Sequence, residues 1–391
     1  MEVTLTQARP LSRVGVRWRL AWRIGTVVGI VALAFLVRFR AIEFLETDYD
    51  EDDYLRAGQL YAQHIAAGDL AGIINERENY EHPPLTKLLY GLILYFQSPD
   101  SYAQPVTLPT TNEVGPPEIA LKAHALRVSQ ALLGALTAGL VALVNPLAGL
   151  LVALNSWHIK YTSQAMLEAL PCFLAALTLL LLYRSRRNGD GWWWAAAVAL
   201  GLTAAGKYLY AVGGVAAIIW FLGRDRRSWR LALAWGGVAL LTFYLADPAL
   251  WPNPVGRLWE SLTFNVNFST GNIVQTSSFG WGQPAIWLLA AIPFPPAKHP
   301  EIFPLMLDGV FSIFGLLAIK QIWRDPHQRL IGWWFGVNML FLFFWPTKWP
   351  QYILAVTVPI SIMAAVWLQK WRYKTYHAWQ TWRSDKSGRR A

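Results

Sequence analysis

Apolar runs alternate along this chain with short charged junctions. A helix that crosses a bilayer needs about 20 mostly apolar residues. The pattern predicts ten such helices, at about 21–39, 121–143, 146–158, 166–183, 192–206, 208–222, 231–247, 303–320, 330–345 and 351–369. The run Leu88–Phe96 is too short to span and reads as an interfacial or re-entrant helix. Two longer polar segments remain, at about 41–120 and 248–302. The expected architecture is all-α: one polytopic membrane domain over 1–391, with interfacial helices in the long first loop. No internal repeat or separate soluble domain is legible. Ala32-Leu33-Ala34 mimics a signal-peptidase site, but the apolar run continues past it, which predicts a retained anchor.

Composition supports the membrane reading. The 391 residues are 54% hydrophobic and 15% charged, whereas a soluble chain carries roughly 25% charge. An ordinary soluble enzyme and a disordered chain are both disfavoured. The 22 Trp suit membrane interfaces. The single Cys, Cys172, rules out a disulfide framework or a Cys-based zinc site.

The net charge of +10 reports orientation rather than nucleic-acid binding. Basic clusters occur at Arg9–Arg23, Arg184–Arg187, Arg224–Arg230, Lys320–Arg329 and from Lys370 onward. The segment Glu43–Glu81 instead holds 11 of the 24 acidic residues. By the positive-inside rule, both termini face the cytosol and the acidic segment faces out. Parity agrees: with Leu88–Phe96 counted as a span the clusters after 183, 222 and 320 would all fall outside, and without it all fall inside. The expected location is the plasma membrane.

Candidate chemistry concentrates in the first external segment. Asp48-Tyr49-Asp50-Glu51-Asp52-Asp53-Tyr54 follows the first helix. Alone it would read as a solvated acidic loop that sets topology. A second polar cluster, Asn79-Tyr80-Glu81-His82-Pro83-Pro84-Leu85-Thr86-Lys87, follows, and its paired prolines fix the backbone where the chain returns to the membrane surface. Glu81 and His82, joined by Glu168, are also candidate ligands for a divalent cation. A hydrogen-bonded structural histidine is the alternative.

Together the two clusters resemble the first external loop of the GT-C glycosyltransferases that use lipid-linked donors. In that superfamily an Asp-Glu-x-x-Tyr motif follows the first helix, and a Glu-(Lys/His)-Pro-Pro-Leu motif comes about thirty residues later. The protein O-mannosyltransferases and the lipid A aminoarabinose transferases carry versions of the second. Here the motifs read Asp50-Glu51-Asp52-Asp53-Tyr54 and Glu81-His82-Pro83-Pro84-Leu85. Leu126-Arg127-Val128, Ala205-Gly206-Lys207-Tyr208 and Pro346-Thr347-Lys348-Trp349-Pro350-Gln351-Tyr352 also look like parts of this family. Tyr161–Glu168 resembles its Ser-Arg-x-Ala-x-x-x-Asp/Glu motif, with Gln164 where Arg is usual. The resemblance implies an acceptor and donor site that includes Tyr54, Glu81, His82, Arg127, Glu168, Lys207, Lys348 and Tyr352.

The chemistry can also be argued from the residues. A sugar on a polyprenyl phosphate leaves as a phosphate ester, which needs positive charge on the departing oxygens. The acceptor hydroxyl needs a carboxylate to take its proton. Asp50 is the expected general base, with Glu51 its catalytic neighbour. Lys207, Lys348 and Arg127 are the expected phosphate ligands. Lys207 lies in a hairpin whose arms have about 15 residues, or about 22 Å at 1.5 Å per residue. That is short of a hydrocarbon core of about 30 Å, so Lys207 should sit recessed, where an ionised group is costly and usually functional.

The expected function is an inverting transferase that moves a sugar from a polyprenyl-phosphate donor, with a divalent cation as the one candidate cofactor, to a protein, glycan or lipid acceptor at the outer face. A flippase or transporter of a lipid-linked sugar is the alternative. A transporter favours repeat symmetry and broken helices at the midplane, whereas the polar residues here collect on one face. A non-catalytic receptor with the same loop is a third reading.

Overall fold

Helix boundaries follow local capping signals. Gly68, at φ 64°, ends Glu51–Ala67 in the left-handed conformation that glycine adopts cheaply. Asn145 caps the next turn by accepting from the Leu147 and Ala148 amides, with Pro146 at the first helical position. Asp190 accepts from Trp193 N, and Asn253 from Gly256 N ahead of a second helix-starting proline, Pro254.

The computed structural model describes residues 13–108, 118–185, 190–224, 229–277, 279–290, 302–303 and 305–388. Its first helices are α1 (Arg13–Phe44), α2 (Glu51–Ala67), α3 (Leu70–Asn75), α4 (Leu85–Gln97) and α5 (Glu118–Lys122). They are followed by α6 (His124–Val144), α7 (Pro146–Leu154), α8 (Ser156–Tyr161), α9 (Ala169–Arg184) and α10 (Gly191–Gly206). Next come α11 (Gly213–Arg224), α12 (Trp229–Ala246), α13 (Pro254–Thr270), α14 (Asn272–Ser277) and α15 (Gln283–Leu289). The last are α16 (Asp308–Leu317), α17 (Ile319–Arg324), α18 (Arg329–Phe344) and α19 (Leu354–Gly388). The described residues contain no strand, so the all-α expectation holds for them.

By length and composition, four helices can cross a membrane: Leu20–Phe44, His124–Val144, Trp229–Ala246 and Pro350–Trp382. Three of the other expected spans are interrupted. The run 146–158 breaks at Asn155, which ends α7 and caps α8 by accepting from His158 N at 2.8 Å. The run 303–320 breaks at Ala318, between α16 and α17. The run 208–222 opens with a 3₁₀ turn, Tyr208–Val212. Hydropathy reads these breaks as continuous because the residues around them are themselves apolar. Arg9, Arg186, Arg187, Arg226, Arg227 and the segment 291–301 lie outside the described residues.

The core joins α1 to α6 and α7, α9 to α10, α10 to α12, and α16 to α19. The expected short helix at 88–96 is part of α4, which packs along α2. Two glycines set that contact. A Cβ on Gly58 would lie 2.8 Å from Tyr90 Cβ, and one on Gly91 would lie 2.7 Å from Tyr61 Cβ. Each helix thus presents a glycine to a tyrosine of the other, which holds the first loop as one packed hairpin.

Candidate active site

Four helices deliver polar groups to one end of the bundle. The C-terminal end of α1 leads to Asp48, Asp50 and Glu51. Arg127 lies in the first turn of α6, Glu168 immediately precedes α9, and Lys207 immediately follows α10. Residues from 48 to 207 are thereby brought together.

Glu51 and Arg127 form the most enclosed pair, at 0% and 1% side-chain exposure. Glu51 Oε1 accepts from Arg127 Nε at 2.9 Å and from Ala165 N at 2.6 Å. Its Oε2 accepts from Arg127 Nη2 at 2.5 Å and from Asp48 N at 2.8 Å. Arg127 also donates to the carbonyls of Ile42, Leu45 and Glu46. The four acceptor positions of the carboxylate and the five donors of the guanidinium are all engaged inside the protein. The pair ties the end of α1 to the starts of α2 and α6.

Asp50, one residue earlier, is in a different setting. It is half-buried at the N-terminus of α2 and accepts from the Tyr54 hydroxyl at 3.3 Å. Burial pushes its carboxyl up to about 7; the Lys207 ammonium opposes this, and Asp48, Glu168 and Asp53 add to it. Asp53 is raised to about 6, by burial first and then by Asp52, Glu81 and Glu78. Lys207 is 4% exposed and donates to Glu168 Oε1. Glu168 Oε2 is buried and has no partner among the described residues. The Lys207 ammonium also lies 5.6 Å from the ring centroid of Tyr352. Asp50, Tyr54, Glu168, Lys207 and Tyr352 therefore form one electrostatic neighbourhood.

The His-Pro-Pro loop closes one side of it. The His82 ring lies 6.1 Å from that of Tyr54. Burial holds the His82 imidazole well below its ordinary range, and Lys207 and Lys87 push the same way, so it is neutral at pH 7. Burial raises Glu81, whose Oε1 accepts from Asn79 Nδ2 at 2.6 Å. The loop is pinned from beneath by buried Lys87, which donates to the carbonyls of Glu78, Asn79 and His82. From above, Ser261 Oγ of α13 donates to Glu81 O at 2.9 Å.

Lys348 stands apart. Its ammonium donates to the carbonyls of Leu342, Phe343 and Trp345, capping the C-terminus of α18. Three bonds use its three donors. Among the described residues no three His, Cys, Asp or Glu side chains gather as metal ligands. Glu81 Oε1 accepts from Asn79, and Glu168 Oε1 from Lys207.

Three buried cations have structural roles that the sequence reading did not assign to them. Arg38 is fully buried and donates to Thr162 Oγ1 at 2.8 Å and to Ala153 O at 3.1 Å, with Nη2 at 2.8 Å from His158 Nδ1. An arginine inside an apolar run was the available signal. Gly134 leaves room for this arrangement, since a Cβ there would lie 2.6 Å from Arg38 Nε. Lys160 is buried and paired with Asp48 at 2.5 Å. Lys87 belongs to the second motif itself, but its carbonyl partners depend on how the loop turns.

No family model matches the chain, and no curated protein does. Solved structures do. The crystal structure of ArnT from Cupriavidus metallidurans bound to undecaprenyl phosphate aligns with a TM-score of 0.59 at 20% identity, over 88% of this chain and 60% of that one. The apo form aligns at 0.57 and 18%, with the same coverage. The archaeal oligosaccharyltransferase AglB from Archaeoglobus fulgidus, in complex with an inhibitory peptide and a dolichol-phosphate, aligns at 0.53 and 12%, over 93% of this chain and 52% of that one. The chain thus spans between half and two thirds of the length of these proteins, and its fold is similar to theirs.

Proposed function

We propose that this chain is a membrane glycosyltransferase that moves a sugar, with inversion, from a polyprenyl-phosphate carrier to an acceptor hydroxyl at the outer face. The observation that carries the reading is the pairing of opposite roles in one recess. Asp50 is a half-buried carboxylate raised to about 7, and buried Lys207 acts on it electrostatically. A general base works best with a pKa near the operating pH. The similar structures, bound to undecaprenyl phosphate and to a dolichol-phosphate, support a lipid-phosphate donor.

In this mechanism the acceptor oxygen attacks the anomeric carbon while its proton passes to Asp50. The bond from that carbon to the phosphate oxygen breaks, and its electron pair leaves with the polyprenyl phosphate. Lys207 neutralises the charge that builds there. One of its N–H groups holds Glu168, which leaves two for phosphate oxygens. Tyr54 orients Asp50, while neutral His82, Glu81 and Tyr352 border the sugar. Glu51 and Arg127 act as a buried strut beneath the base, and Lys348 as a helix cap; neither role requires substrate contact. No step passes through a metal.

The proposed topology keeps ten membrane segments in one domain, with segments 41–120 and 248–302 outside and α13 shaping acceptor access. The test is transfer by purified protein in lipid nanodiscs. Polyprenyl-phosphate sugar should be consumed by wild type and not by Asp50→Asn. A flippase would move intact donor across the bilayer without consuming it.

A further inference from the structure

The helices that build the site at one end build a second cavity at the other. It has a volume of about 430 Å³ and is lined by Arg23, Leu143, Tyr183, Arg184, Trp192 and His327, among others. Arg23 lies in the first half of α1. Leu143 ends α6, Tyr183 and Arg184 end α9, and Trp192 opens α10. Along α6, Arg127 at the site and Val144 at the cavity are separated by about 26 Å at 1.5 Å per residue. That is close to the hydrocarbon thickness of about 30 Å. The cavity therefore belongs at the opposite membrane interface, on the side of the basic clusters.

Arg23 spends one N–H on Leu143 O at 2.9 Å, and neither Arg23 nor Arg184 pairs with a carboxylate among the described residues. Of the neighbouring acids, Asp325 accepts from the His327 backbone N–H and Asp190 from Trp193 N, each at 2.9 Å, while the His327 ring packs on Tyr183 with centroids 4.5 Å apart. Two guanidinium groups beside a histidine form a phosphate-binding set, because arginine donors match phosphate oxygens two at a time. Trp192 and Tyr183 supply aromatic walls that suit the headgroup layer. The volume falls within the usual range for small-ligand sites, about 300–1,000 Å³.

We infer that this cavity binds the phosphate of an anionic phospholipid headgroup from the inner leaflet, at a site separate from the one around Asp50. The inference stands on the membrane placement alone and does not need the proposed transferase activity.

The test is binding to the full-length protein in a neutral detergent, read as retained lipid by native mass spectrometry and as a shift in thermal unfolding. The probes are dioctanoyl phosphatidylglycerol, dioctanoyl phosphatidylcholine and inorganic phosphate. Phosphatidylglycerol should bind at least tenfold more tightly than either of the others. Arg23→Gln and Arg184→Gln should each weaken it about tenfold. Arg184→Lys should keep part of the affinity, which guards against a variant that fails to fold. Equal affinity for the two lipids, or unchanged affinity in a folded Arg23→Gln/Arg184→Gln protein, overturns the site. Inorganic phosphate binding as tightly as the lipid overturns the headgroup as its source.

Discussion

Glu51 and Arg127, 76 residues apart, close on each other through two parallel bonds, Nε–Oε1 at 2.9 Å and Nη2–Oε2 at 2.5 Å. Asp50, the adjacent residue, is left to face the recess.

Glu51→Gln removes one charge of an enclosed pair and strands the other. Breaking such a pair costs about 3–5 kcal/mol. The variant should unfold at a clearly lower temperature in detergent, and Arg127→Met should behave alike. Wild-type stability together with abolished transfer in Glu51→Gln would return Glu51 to a catalytic role.

Asp50→Asn should leave the fold intact and slow transfer by about 10²–10⁴, the usual contribution of a positioned base. Donor affinity should be retained because the phosphate is held by Lys207. Equilibrium donor binding and single-turnover transfer, measured on the same preparation, separate the two effects.

The pH dependence follows from the raised Asp50 carboxyl. The reactive form is ionised, so kcat/KM should fall about tenfold per unit below pH about 7 and level off above it. Stability should run the other way. The folded pKa of about 7 exceeds the ordinary 3.8, so the native state holds an extra proton between those values. Stability from this group is therefore present at low pH and lost as pH rises through about 7. Asp50→Asn should be at least as stable as wild type at pH 8, as thermal scans across pH would show.

Lys207 and Lys348 should respond differently to substitution by methionine. Lys207→Met should weaken donor binding and slow transfer, since a charge-assisted hydrogen bond is worth about 1.5–3 kcal/mol. Lys348→Met uncaps three carbonyls at the end of α18. It should lower stability and leave donor affinity unchanged. Equal loss of donor affinity in both variants would place Lys348 at the phosphate after all.

Topology is open to labelling. In a Cys172→Ala background, single cysteines near Asn75, Ser277 and Thr347 should react with an impermeant thiol reagent outside intact cells. Those near Asn188, Ser228 and Ser387 should not. External labelling at 188 would place the cavity at the outer interface and remove its inner-leaflet assignment.

The sequence by itself determined the all-α character of the described residues, the apolar runs, and the two polar motifs that carry the candidate chemistry. Each is a local property: helical propensity, hydropathy and proline geometry act over a few residues. Length and hydropathy could not show where the apolar runs break, because a single cap such as Asn155 interrupts a helix while lowering the mean hydropathy of a long window only slightly. Tertiary structure decided the roles of the charges. In the sequence Glu51 and Asp50 are adjacent carboxylates, and Arg127, Lys207 and Lys348 are three cations at helix ends. Only packing reveals that Arg127 is consumed by Glu51 and Lys348 by the carbonyls of α18, while Lys207 shares the recess with Asp50. The reason is physical. A buried charge must find its partner within a few ångströms, and which group lies there depends on how helices far apart in the chain are placed side by side.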